Sequence, residues 1–142
     1  MRRFQMSSEQ RGQGIVEFAL VLPIFLLLTL GTIELGWLVY SNHTLNNATR
    51  EGARYAMVNG ERAAERNGVS VVSSSEVHDV VVERAGALGG NVHYTHLSFS
   101  PDANPGSEVT VESVYSYQPL VGAIVGVSPM TLRSSTTVIV QY

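Results

Sequence analysis

The apolar positions of this 142-residue chain gather near one end instead of spreading along it. Phe18 to Ile33 is a run of 16 residues without a charge, and most polar residues lie after Tyr40. At 1.5 Å per residue the run makes about 24 Å of helix, short of the roughly 30 Å hydrocarbon core of a bilayer. A crossing therefore needs Leu35, Trp37, Leu38, Val39 and Tyr40 as well. Trp37 and Tyr40 are the amphipathic aromatics that settle at a membrane–water boundary. Glu17 and Glu34 bracket the run, about 25 Å apart along a helix. A carboxylate in hydrocarbon costs at least ~2.5–3.5 kcal/mol, so each is expected at headgroup level or with a partner.

Beyond Tyr40 the helical period continues. Leu45, Ala48, Gly52 and Tyr55, with Ala56 beside them, follow one helical face and predict a helix from about Gly14 to Asn59, stopped by a left-handed Gly60. Pro23 is expected to kink or locally break it. Arg50, Glu51 and Arg54 read as a solvated face. Ser73-Ser74-Ser75 is a good cap for a second helix over Glu76–Leu88, with Val77, Val80, Val81, Arg84 and Leu88 as its stripe and Gly89-Gly90 as its end. The period then changes to two. Strands are predicted from Val92, Tyr94 and Thr95, over Val109–Tyr117, and over Thr136–Tyr142, with a turn at Pro101–Gly106 between the first two. The fold class is α+β. A long N-terminal transmembrane helix carries a shorter helix and an antiparallel sheet of about three strands. The expected divisions are a leader over 1–12, a long helix over 13–60 that is transmembrane to about 40, and a head over 61–142. Pro119–Pro129 is apolar but too short to span a bilayer, and reads as a contact loop near the membrane or another subunit.

Charge and composition narrow the picture. The net charge of −3, the lack of any Lys and the absence of an Arg stripe argue against nucleic-acid binding. With no cysteine there is no disulfide, thiolate metal site or cysteine nucleophile. Arg2, Arg3 and Arg11 before the apolar run predict a cytoplasmic N-terminus and a head on the far side. A secretory signal peptide would need small neutral residues after its core, where Glu34 and Trp37 stand instead.

The candidate chemistry lies at the start of the apolar run. In Gly12-Gln13-Gly14-Ile15-Val16-Glu17-Phe18, a glycine is followed by four residues, a glutamate and an aromatic. This resembles the prepilin peptidase signal, in which a membrane protease cuts after the glycine on the cytoplasmic side. That resemblance makes Gly12 and Gln13 the processing site, makes Glu17, Phe18 and Glu34 recognition and assembly residues, and implies a pilin-like fold. Glu17, fifth in the mature chain, would pair with the terminal ammonium of a neighbouring subunit. Residues 11 to 56 further resemble the N-terminal region of TadE-like proteins of tight-adherence (Flp) pilus systems. The marks are GIVEFALVLP with Pro23 six residues after Glu17, Glu34 within IELG, and Asn47 to Tyr55. The resemblance implies a minor pilin or pseudopilin acting in pilus assembly, adhesion or secretion. Its expected partners are the prepilin peptidase, the major Flp pilin, other minor pilins and the membrane assembly platform. The bacterial cytoplasmic membrane is the expected location, with entry into an extracellular pilus left open.

No constellation points to catalysis. His93 and His96, three apart on a strand, face opposite sides unless a bulge intervenes, so they make no metal pair. His78-Asp79 reads as exposed surface, and Ser73 to Ser75 lack a His–Asp arrangement. The expectation is a non-enzyme with no catalytic residue, no metal, no cofactor and no small-molecule substrate. The alternative is an uncleaved single-pass protein whose extracytoplasmic head binds a ligand or envelope partner.

Overall fold

The computed structural model describes residues 8–119, 122, 126 and 128–141. Three helices, α1 (Ser8–Val58), α2 (Glu61–Asn67) and α3 (Ser74–Ala85), precede a short 3₁₀ helix at Gly86–Asn91. Strands β1 (Val92–Ser100), β2 (Glu108–Tyr117) and β3 (Met130–Ile139) follow. The sheet is antiparallel in the order β1-β2-β3 among the described residues. The class is α+β, as the patterning predicts.

Helix α1 is 51 residues long, about 76 Å. It starts six residues before the expected Gly14 and runs unbroken through Pro23. Up to Ile33 its apolar side chains are exposed or nearly so. From Glu34 onward one face turns inward. Glu34, Leu38, Ser41, Leu45, Ala48, Gly52 and Ala56 recur at steps of three and four and are buried or half-buried. Tyr55 falls off this face and is exposed, so the expected face is corrected there. Side chains shrink along it, from Leu45 to Ala48, Gly52, Ala53 and Ala56, which lets α3 lie close. A Cβ at Gly52 would stand 2.7 Å from Val81 Cγ2 and 3.2 Å from Val77 Cγ1.

Gly60 does not end α1 in the left-handed region. Its φ of −71° and ψ of −170° are extended, and it stands at the N-terminus of α2, a helix the patterning did not predict. The left-handed residue is Gly68, φ 66°, which closes α2. The predicted serine cap of α3 is present at Ser73, with the helix starting at Ser74, two residues before the expected Glu76. Ser73 Oγ accepts from the Glu76 N–H, and Glu76 Oε2 accepts from the Ser73 N–H at 2.7 Å. The helix ends at Ala85, three residues short of Leu88, because Gly86 turns to φ 56°.

In the sheet, Val109, Val111, Ser113, Tyr115 and Tyr117 of β2 alternate inward against α1 and α3. On the outer face the hydroxyls of Thr110 and Thr137 meet at 2.8 Å. Strand β3 begins at Met130, six residues ahead of the expected Thr136, and pairs with the whole of β2. The core is built of Leu45, Val77, Val81, Val109, Val111 and Val140, all essentially buried. His78, expected to be free surface, is instead joined through Nδ1 to the Thr95 hydroxyl at 3.0 Å. The predicted residues 1–7, most of the 119–129 loop and Tyr142 lie outside the described residues.

Candidate assembly surface along the first helix

Every sequence-predicted site residue lies on α1, at three heights. Gly12 and Gln13 occupy its first turns and are exposed, and nothing comes within 4 Å of where a Cβ on Gly12 or Gly14 would stand. The bond between Gly12 and Gln13 is helical, not extended. Two glycines flanking one residue weaken the helix there by roughly 1 kcal/mol each relative to alanine. Glu17 and Phe18 come next, both exposed and remote from the head. The run that follows is 0 % buried, and with a mean hydropathy of 2.3 it is long and apolar enough to cross a membrane.

Glu34 stands apart from Glu17 in setting as well as height. It is half-buried, and the Tyr117 hydroxyl at the end of β2 donates to its Oε1 at 2.6 Å. Burial, with the adjoining Glu34 carboxylate second, pushes the Tyr117 phenol up to about 12. It therefore stays a donor throughout the neutral range. Tyr117 is the partner of Glu34 that sequence reasoning missed. Strand parity from Val109 assigns it to the inner face, but no local pattern identifies a partner 83 residues away.

Around this contact the surface is apolar. A crevice of about 490 Å³ is lined by Leu28 and Gly31 of α1 and by Pro119, Gly122 and Met130 of the head. A second, of about 430 Å³, lies between Ile33 and Trp37 of α1 and Leu88 and Tyr115 of the head. Glu34 and Tyr117 line both. Trp37 and Tyr40 stack obliquely, ring centroids 5.4 Å apart, on the exposed side of α1.

His93 and His96 are both exposed on β1, with a register shift between Val92 and Tyr94. Among the described residues no group of three or more His, Asp or Glu could hold a metal ion. The arrangement offers surfaces for packing.

Residues 12–54 match a protein-family model, that of TadE-like proteins. The match opens at Gly12 and runs along α1 as far as Arg54, so it covers the anchor and part of the face that carries the head. The TadE-like family is pilin-related and suggests involvement in the Tad pilus system. Together with the apolar helix it points to a membrane-anchored protein. No curated protein and no solved structure gives a match.

Proposed function

We propose that this chain, with its TadE-like segment over residues 12–54, is a minor pilin or pseudopilin of a Flp-type pilus machine. A prepilin peptidase cuts between Gly12 and Gln13, and α1 holds the mature protein in the cytoplasmic membrane with its N-terminus inside and its head outside. Glu17 then meets the new terminal ammonium of a neighbour, neutralising two charges that are costly in a low-dielectric bundle. The observation that carries the reading is the match of the TadE family to a segment starting at the candidate cleavage glycine. The exposure of Glu17 and Phe18, clear of the head, supports their use in contacts with other chains. The major Flp pilin, other minor pilins and the assembly platform are its partners in this role.

A second reading draws on the helical state of the Gly12–Gln13 bond. A peptidase takes extended chain, so α1 must first open at its glycines, and an uncleaved single-pass protein would keep the helix intact. Mass spectrometry of the N-terminus in cells with and without the peptidase separates the two. A mature chain starting at Gln13 is expected with the peptidase, and an intact Met1 in its presence would favour the second reading. Gly12→Leu should abolish trimming, whereas Glu17→Gln should be trimmed and yet assemble poorly.

A further inference from the structure

The two crevices beside Glu34 lie at a depth that can be read from α1. With Trp37 at headgroup level, a hydrocarbon thickness of roughly 30 Å takes about 20 residues and reaches back to Glu17. The aromatic and the first carboxylate thus mark the two boundaries independently. On this scale Glu34 lies about 4.5 Å inside the hydrocarbon and Leu28 about 13 Å inside, close to the midplane. The head nevertheless bonds α1 at Glu34 and lines a crevice with α1 as deep as Leu28. Pro119, Gly122 and Met130 face Leu28 and Gly31 across the first crevice, and Tyr117 bonds Glu34. A head standing on the membrane surface would not reach so far down its own anchor.

We infer that the head is sunk into the leaflet on its own side of the membrane, with phospholipid acyl chains filling the two crevices that flank Glu34 and Tyr117. The inference rests on α1 spanning the membrane as proposed above. Both crevices continue a helix surface exposed to the same surroundings at that height, so what covers the helix also covers them. Their volumes lie within the roughly 300–1,000 Å³ range of pockets that take small ligands. The Glu34 carboxylate fits this setting. At hydrocarbon depth it lacks water, and the Tyr117 hydroxyl supplies a donor in its place. Pro119, Gly122 and Met130 then form part of the head's underside.

The test uses the full chain in phospholipid vesicles. Trp37 is its one tryptophan, so in a Trp37→Phe background a single Trp is introduced as Leu28→Trp or as Met130→Trp. Lipids brominated along the acyl chains should quench both, and aqueous iodide should leave the Met130→Trp signal unchanged. Quenching by bromine at 28 with iodide quenching at 130 would overturn the sunken head while leaving the span intact. Bromine quenching at neither site would overturn the span and this inference with it. The chain has no cysteine, so Met130→Cys gives a second readout that survives any misfolding of the tryptophan variant. It should resist a membrane-impermeant maleimide at every protein-to-lipid ratio, while Ser135→Cys, exposed on β3, reacts. Protection of Met130→Cys that disappears on dilution with lipid would assign the crevice to a second copy of the chain and overturn the lipid assignment.

Discussion

Gly52 sets how closely α1 and α3 approach. Alanine there would gain about 1 kcal/mol of helix propensity but would press a methyl against two buried, β-branched valines that have little room to turn. Overpacking of this kind costs about 1–3 kcal/mol, so Gly52→Ala should lower stability by about 1 kcal/mol net. Thermal unfolding in detergent measures it. Gly36→Ala is the control: nothing lies within 4 Å of its Cβ position, and no loss is expected. Helical spacing alone assigns Gly52 to the inner face, because its neighbours Leu45, Ala48 and Ala56 recur every three or four residues. The same spacing misassigns Tyr55, which at ten residues from Leu45 has rotated off the buried side. Glu34 was legible as a carboxylate in need of a boundary or a partner, since the cost of burying it is a property of the residue. The partner itself was not legible, because pairing across 83 residues is decided by how sheet and helix dock.

At the scale of elements, α3 shows how a local rule becomes a pH dependence. The Glu76 carboxyl is held below its usual 4.5 by the Ser73 backbone N–H and then by the Ser73 hydroxyl. Its folded value is depressed, so the capping contribution is present above about 4.5 and is lost as pH falls through the folded value. Between neutral pH and pH 3 the melting temperature of Glu76→Gln should therefore fall less than that of the parent. Ser73→Ala should cost about 1 kcal/mol near pH 7, measured by the same melts. The serine cap was readable from its residue type, but the reading started the helix at Glu76 and left unread the reciprocal bond that makes Glu76 part of the cap. Helix α2 was not readable. Its ERAAERN sequence has no apolar stripe beyond two alanines, and it is held through its ends by Glu61 N–H to Ala103 O and by Gly68. The start of β3 was missed for a related reason. Leu132 is the only aliphatic residue in Thr131–Ser135, and the segment becomes a strand because β2 offers its full length as a partner.

At the scale of the whole molecule, anchor and head share one helix. Leu45, Ala48, Ala53 and Ala56 of α1 form one wall of the head's core. A fragment starting at Val39 should fold, whereas one starting at Gly60 should remain unfolded, a difference that circular dichroism and amide dispersion would report. The uninterrupted course of α1 through Pro23 and past Tyr40 also has a mechanical consequence. A pull on the membrane end reaches the head along this one helix and loads its contacts with α3, β2 and β3 together. Torque follows the same path, and a quarter-turn of the anchor carries the polar outer face of the sheet through the same angle.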